Sequence, residues 1–188
     1  DAKKRRLLLA RDRIGIKPLY YYFKDGVLVF ASELKAILQY PLVKEEINFH
    51  ALHDYFTYMY VPAPDTIFND IYKLLPGHLL VCENASIFIK QYWDINNGNY
   101  KELSRMDENE LSEQLLNLMQ ESVKMHLISD VPLGVFLSGG TDSGSIVALA
   151  TEISGKPVKT FSIGFEDDYH NELDNARSTA NQYKTEHH

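Results

Sequence analysis

Leu137-Ser138-Gly139-Gly140-Thr141-Asp142-Ser143-Gly144 decides how this chain is read, because of what stands on either side of it. Ahead of it runs the apolar stretch Val131 to Leu137, a pattern that suits a strand buried on both faces. Behind it, Ile146, Leu149, Ala150 and Ile153 recur at helical spacing. A glycine-rich turn between a parallel strand and a helix N-terminus presents unpaired backbone N–H groups at the positive end of the helix dipole. It can therefore hold phosphate without a lysine. The paired glycines allow close backbone approach and positive φ, and the Ser and Thr hydroxyls can donate to phosphate oxygens. Asp142 would sit badly beside bare phosphate. Its carboxylate makes most sense with Mg²⁺ between it and the phosphates, since that ion takes carboxylate, water and phosphate oxygens. The stretch fits neither G-x-x-x-x-G-K-[ST] nor G-x-G-x-x-G, and the nucleophile elbow G-x-S-x-G fails because Phe136 stands at its first glycine position. A glycine turn with a serine helix cap is the plain alternative.

Downstream, a strand from Val158 to Phe165 and a helix carrying Leu173, Ala176, Ala180 and Tyr183 extend the order to strand, loop, helix, strand, helix. That order predicts a doubly wound parallel α/β sheet. Upstream, Asp107 with Glu110 predicts a capping box opening a long amphipathic helix, with Leu111, Leu115, Leu118, Met119, Val123 and Leu127 in one stripe. Before it, the Asn- and Gly-rich run around Ile95 to Tyr100 reads as a linker, which places one domain at residues 1–95, a linker at 96–105 and a second domain at 106–188.

The first domain is strand-rich and largely antiparallel. Arg6 to Arg11 is one strand, and Leu19 to Phe23 pairs with Val27 to Ala31 through Lys24-Asp25-Gly26. His78 to Glu83 pairs with Ser86 to Trp93 by turning at Asn84-Ala85. Ser32 is expected to cap a short helix through about Gln39. Asn48 is expected to cap a second, whose Phe49, Leu52, Phe56 and Met59 predict packing on a sheet.

At 188 residues there is room for one complete domain or two partial ones, and 45% hydrophobic with 24% charged residues is a globular balance. The 19 Lys and Arg against 26 Asp and Glu leave a formal charge of −7, which argues against a broad nucleic-acid or anionic-membrane surface. Any anion site must be local. One cysteine, Cys82, excludes an internal disulfide and a multi-thiolate zinc site, and fits a reducing, cytoplasmic compartment. In Leu79-Leu80-Val81-Cys82 it reads as a small buried hydrophobe. His187 and His188 read as structural, as do His50 and His53, which lack a third ligand nearby in sequence. The chain starts at Asp1 with no signal pattern, and the expectation is an internal piece of a longer polypeptide.

Ser138-Gly139-Gly140-Thr141-Asp142-Ser143 resembles the SGGxDS pyrophosphate-binding loop of the N-type ATP pyrophosphatases. Asp130 to Val135, Lys159 to Phe165, Ala176-Arg177 and Thr185-Glu186-His187-His188 are similar to the synthetase domain of glutamine-hydrolysing asparagine synthetase. Arg11 to Tyr21, Phe30 to Ala36 and Lys73 to His78 resemble the closing half of that family's class II glutaminase domain. The resemblance implies the C-terminal part of an Ntn-type α/β/β/α glutaminase sandwich, followed by the start of a doubly wound α/β ATP-pyrophosphatase domain. It implies a ligase that adenylates the aspartate β-carboxylate with ATP and transfers ammonia from glutamine, giving asparagine, AMP and pyrophosphate. Acceptors other than aspartate, as in a β-lactam synthetase, and a non-catalytic role stay open.

Carried over by motif, Ser138, Gly139, Gly140, Asp142 and Ser143 would hold the ATP phosphates, with Mg²⁺ reached indirectly through Asp142. Leu137 and the backbone around Ile163 and Gly164 would hold the adenosine. No catalytic residue is expected in this chain, since the family's glutaminase nucleophile lies upstream and its adenylation residues downstream. The expected partners are ATP, aspartate and glutamine, with no nucleic acid and no membrane; the oligomeric state stays open, a homodimer among the options. Two positions depart from the family loop: Thr141 replaces a small aliphatic residue, and Gly144 replaces a frequent Ser at a cost of up to about 1 kcal/mol to the helix.

Overall fold

The computed structural model describes residues 1–95, 103–164 and 171–188, and the chain forms two compact units, 1–98 and 99–188. The first unit contains β1 (Arg6–Ala10), β2 (Tyr20–Lys24), β3 (Val27–Ala31), α1 (Leu34–Ile37), α2 (Phe49–Tyr58), β4 (Ile71–Lys73), β5 (His78–Glu83) and β6 (Ser86–Gln91). These strands form two antiparallel sheets, in the orders β1-β5-β6 and β3-β2-β4.

Strand β2 explains the layering. Tyr21 and Phe23 point to a core with Leu9, Leu74 and Leu80, which come from or beside the other sheet, while Tyr20 and Tyr22 point to Ile37, Val43 and Ile71 on the α1 side. Successive strand residues face opposite ways, so a central strand covered on both sides is apolar throughout. The two sheets therefore stack face to face, with α1 on the outer side of the second.

Two tight hairpins set the registers. Lys24 pairs with Val27 across Asp25 (φ 52°) and Gly26 (φ 77°), and Glu83 pairs with Ser86 across Asn84 (φ 51°) and Ala85 (φ 55°). Both are two-residue loops with both central residues left-handed, the geometry that matches strand twist. Between β1 and β2 the chain is tied to itself. Arg11 donates from Nε to Lys17 O (3.0 Å), from Nη1 to Leu74 O (2.7 Å) and from Nη2 to Gly15 O (3.0 Å). Asp12 accepts from the N–H groups of Ile16 (2.8 Å) and Lys17 (3.0 Å). The Lys17 N–H foremost, with those of Ile16 and Gly15, holds the Asp12 carboxyl below its ordinary pKa of 3.8.

Several expectations for this unit need correction. Ser32 caps nothing. The N-cap of α1 is Glu33, without a side-chain bond, and regular helix stops at Ile37, because the bonds of Gln39 and Tyr40 reach back only three residues, to Ala36 O and Ile37 O. Asn48 does cap α2, accepting from His50 N–H (3.1 Å) and Ala51 N–H (3.2 Å). The helix meets its unit through buried Ala51, however, and Phe49, Phe56 and Met59 are 77%, 75% and 79% exposed rather than packed on a sheet. Strand β6 ends at Gln91, not Trp93, because the N–H groups of Tyr92 and Trp93 both turn to Gly77 O (2.8 and 3.2 Å).

The second unit contains α3 (Glu108–His126), β7 (Gly134–Phe136), α4 (Thr141–Ser154), β8 (Lys159–Phe161), α5 (Leu173–Tyr183) and β9 (Glu186–His187). The strands form a parallel sheet in the order β7-β8-β9, with Val135 opposite Thr160 and Thr160 opposite His187. Helices α4 and α5 cover the face that carries Val135 and Leu137, closing a core of Leu137, Val147, Ala176 and Ala180. The capping box of α3 is reciprocal: Asp107 Oδ1 accepts from Glu110 N–H (2.9 Å), and Asp107 N–H donates to Glu110 Oε2 (3.1 Å).

The apolar run ahead of the loop is strand over three residues only; Val131 is exposed and its N–H bonds Ser129 Oγ (3.2 Å). The stripe of α3 is not a buried face either, since Leu111, Leu115 and Leu118 are exposed. Residues 96–102 of the expected linker, Phe165 at the expected end of the β8 strand, and residues 168–170 of the stretch Asp168 to Glu172, whose composition predicts a helix-capping loop, lie outside the described residues. Among the described residues no helix is long and apolar enough to cross a membrane.

Ala85→Gly should raise stability by about 1 kcal/mol, because a left-handed Ala pays a Cβ–carbonyl clash that Gly avoids; the denaturant midpoint should rise with an unchanged slope. A lowered carboxyl pKa contributes stability above the unfolded value and loses it as pH falls through the folded one. Asp12→Asn should therefore flatten the fall in melting temperature on acidification below about pH 4, where the unfolded carboxyl titrates.

Candidate functional site

The site begins where β7 leaves the sheet. Leu137 N–H donates to Phe161 O (2.8 Å), and Ser162 Oγ donates to Leu137 O (2.5 Å), so the last residue before the loop is pinned to the end of β8. Leu137's side chain is buried in the core, which leaves its backbone to face any ligand. Gly139 then turns the chain with φ +84°. A Cβ there would stand 2.7 Å from Asn175 Cβ and 2.8 Å from Ala176 N, on the first turn of α5. Left-handed backbone and close approach both demand glycine.

Gly140 is the N-cap of α4 and carries no side chain to cap with, so the serine-cap alternative does not hold. The serines instead brace the loop. Ser143 Oγ donates to Gly140 O (3.2 Å), accepts from Ser138 N–H (3.2 Å) and lies 3.1 Å from Ser138 Oγ, which accepts from Gly140 N–H (3.4 Å). Among the described residues the N–H groups of Gly139, Thr141, Asp142 and Ser143 have no partner. They stand at the positive end of a 14-residue helix. Orphan donors and dipole together can hold an anion. The exposed Asp142 carboxylate, on the first turn, has no hydrogen-bond or ion-pair partner among the described residues and offers hard oxygen ligands.

A cavity of about 240 Å³ opens between the ends of β7 and β8 and the start of α5. Leu137, Ser138 and Ile163 line it, so three of the residues expected from sequence share one hollow. Gly164 borders it from behind, where a Cβ would stand 2.4 Å from Leu173 Cδ1. Gly139 and Gly140 also edge a second cavity, of about 460 Å³, against α3 and α5. A larger one, of about 860 Å³ between α3 and α4, is lined by Gln114, Leu118, Lys124 and Glu152 and by none of the loop.

Sequence reasoning missed Phe136, Phe161, Ser162, Leu173 and Ala176 as lining residues of the first cavity, and read Glu172 as the end of a helix-capping loop that the family resemblance sets near the nucleotide. For Ala176 a signal existed: a small residue at helical spacing, able to admit the Gly139 backbone. For the others the spacing carried none. The two C-terminal histidines make local contacts, while His50 and His53 are exposed: His187 Nδ1 lies 3.0 Å from Thr160 Oγ1, and the His188 ring stacks on Phe161 at 5.1 Å and 19°. Cys82 packs half-buried against the core between the two sheets.

Comparison with known proteins agrees with both halves. The glutamine amidotransferase domain family matches residues 1–93, and the asparagine synthase family matches residues 114–188. The putative asparagine synthetase [glutamine-hydrolyzing] 2 of Methanocaldococcus jannaschii is 36% identical over 100% of this chain and 36% of its own length. The asparagine synthetase [glutamine-hydrolyzing] 1 of Bacillus subtilis is 38% identical over 91% of this chain and 26% of its own length. A protein named amidase chry2, from Gibberella zeae, is 33% identical over 85% of this chain and 23% of its own length. The chain thus spans about a third or less of these relatives. With an amidotransferase match before an asparagine synthase match, and both halves continuous in these relatives, the chain belongs to the glutamine-hydrolysing asparagine synthetase family.

Proposed function

We propose that the whole protein is an ATP-dependent asparagine synthetase using glutamine as its nitrogen donor, and that the loop from Ser138 to Ser143 holds the ATP phosphates. The observation that carries this is the set of unpartnered N–H groups at Gly139, Thr141, Asp142 and Ser143, aimed from a helix start beside a cavity. A carboxylate is a poor acyl donor until one oxygen becomes a good leaving group. Attack of the aspartate β-carboxylate on the α-phosphorus of ATP expels pyrophosphate, and ammonia then attacks the acyl carbon and expels AMP. In this scheme the loop donors bind and orient the departing pyrophosphate, supplying proximity and charge stabilisation. Leu137, Ile163 and Gly164 offer backbone groups around the cavity for the adenosine.

A divalent cation fits the site, because Asp142 places a free hard-oxygen ligand beside the phosphate donors. Mg²⁺ bound there would neutralise phosphate charge and, in doing so, remove the repulsion between Asp142 and the ligand. In the same reading residues 1–95 are part of an Ntn-type glutaminase sandwich, 96–105 are a linker, and 106–188 open a doubly wound ATP-pyrophosphatase domain. The two stacked antiparallel sheets and the β7-α4-β8-α5-β9 order support that assignment. A cytoplasmic location fits the sole, unpaired Cys82. Another carboxylate acceptor is the second reading, favoured by the similarity to a relative that carries an amidase name.

Aspartate-dependent ATP–pyrophosphate exchange in the whole protein tests the first reading. It should be present in wild type and fall at least about 10²-fold in Asp142→Ala, the loss typical of removing one charge-stabilising group. No exchange with aspartate, despite measurable ATP binding, would instead support a different acceptor. The glycines give a paired check. Gly139→Ala should abolish exchange and destabilise the fold, since its Cβ meets the backbone of α5. Gly144→Ala meets only Thr179 Cγ2, at 3.7 Å, and should keep exchange while raising stability by about 1 kcal/mol.

A further inference from the structure

We propose that Glu172 recognises the ribose of the nucleotide, its carboxylate accepting hydrogen bonds from the vicinal 2′- and 3′-hydroxyls at the mouth of the cavity between β7, β8 and α5. This rests on the nucleotide reading above and adds a specificity-determining residue to it.

Three polar side chains line that cavity: Ser138, Ser162 and Glu172. Two are spoken for. Ser138 Oγ is engaged with Ser143 Oγ and Gly140 N–H, and Ser162 Oγ with Leu137 O. Glu172 is the N-cap of α5, yet its side chain takes no capping bond. Asn171 accepts from Leu173 N–H through Oδ1 (3.2 Å) in its place. The Glu172 carboxylate therefore has no partner among the described residues, and it is the ionisable group in an otherwise apolar and hydroxyl-lined hollow.

Its position follows from two glycine contacts. The first turn of α5 touches the phosphate loop where Asn175 and Ala176 meet Gly139, and it touches the end of β8 where Leu173 meets Gly164. A nucleotide with its phosphates on the loop and its base against Ile163 and Gly164 must lay its sugar between those contacts, where Glu172 stands. The chemistry agrees with the place. An ionised carboxylate is an acceptor with two oxygens, a vicinal diol supplies two donors, and the pairing recurs where an Asp or Glu holds a ribose 2′-OH in dinucleotide-binding folds. The same charge would repel a phosphate.

The test is equilibrium binding of ATP, 2′-deoxyATP and ITP to the whole protein, in wild type, Glu172→Ala and Glu172→Gln. Wild type should prefer ATP over 2′-deoxyATP by about tenfold or more, the scale of one hydrogen bond to a charged group. Glu172→Ala should bring that ratio close to one by weakening ATP more than 2′-deoxyATP, which has only its 3′-hydroxyl contact to lose. Glu172→Gln, which keeps a carbonyl acceptor, should fall between. The ratio of ATP to ITP should be the same in all three. A preference for ATP over 2′-deoxyATP that persists in Glu172→Ala overturns the assignment. A change in the ATP-to-ITP ratio instead would show that the carboxylate reads the base, and overturns it too. Wild type that binds ATP and 2′-deoxyATP equally removes this proposal and leaves the nucleotide reading standing, whereas wild type that binds no ATP removes both.

Discussion

The close approach of the loop backbone to the first turn of α5, at Gly139, is the contact on which the second unit depends. With φ at +84° and the Asn175 and Ala176 backbone against its Cα, Gly139 fixes both where the loop turns and how near α5 lies. That distance fixes the rest. It admits Ala176 and Ala180 to the core with Leu137 and Val147, and it sets the width of the cavity between β8 and α5. A similar approach at Gly164 against Leu173 closes the far side. The hollow is thus bounded by two glycines, each of which replaces a side chain with backbone proximity.

The first unit shows the same economy by other means. Arg11 spends its guanidinium on three backbone carbonyls, and Asp12 spends its carboxylate on two backbone N–H groups, so a loop without regular structure is cross-linked by its own side chains. Leu74, one acceptor of Arg11, is itself buried in the core between the sheets. The loop and the sheet stacking are therefore one structure, and the charged residues Arg11 and Asp12 act as scaffold rather than chemistry.

The elements legible in the sequence were those that local physics determines. Asp25-Gly26 favours a left-handed turn, Asn48 and Asp107 are favoured N-cap residues, and Gly139 stands where a Cβ would clash. Those signals placed the first hairpin, two helix starts and the glycine-rich turn into α4. Periodicity misled where an apolar face stays exposed among the described residues. Phe49, Phe56 and Met59 on α2, and Leu111, Leu115 and Leu118 on α3, have helical spacing and yet stay exposed, because spacing reports that a face is apolar and not what covers it. Of the candidate site, the loop was legible, while the α5 wall of the cavity was not. Glu172, Leu173 and Ala176 lie 29 or more positions beyond the end of the loop in sequence, and the parallel crossover from β8 to β9 carries them back to it.

The binding proposed for the loop would also be compatible with an acidic chain. A formal charge of −7 repels a nucleotide at long range, and no lysine stands in the loop to offset that. Backbone N–H groups act over a few ångströms, through geometry rather than net charge, and they cannot be titrated away. A phosphate held by such donors would tolerate a carboxylate in the same turn provided a cation separated them, the role proposed for Asp142. On these proposals the acidity at Asp142 and Glu172 would divide by distance from the phosphates: the near carboxylate would need a metal between itself and the ligand, and the far one would be free to meet hydroxyl groups directly. Both fit a site whose attraction for anions comes from oriented dipoles, and neither would suit one built on a cluster of lysines, where a carboxylate would be neutralised by the protein's own charge.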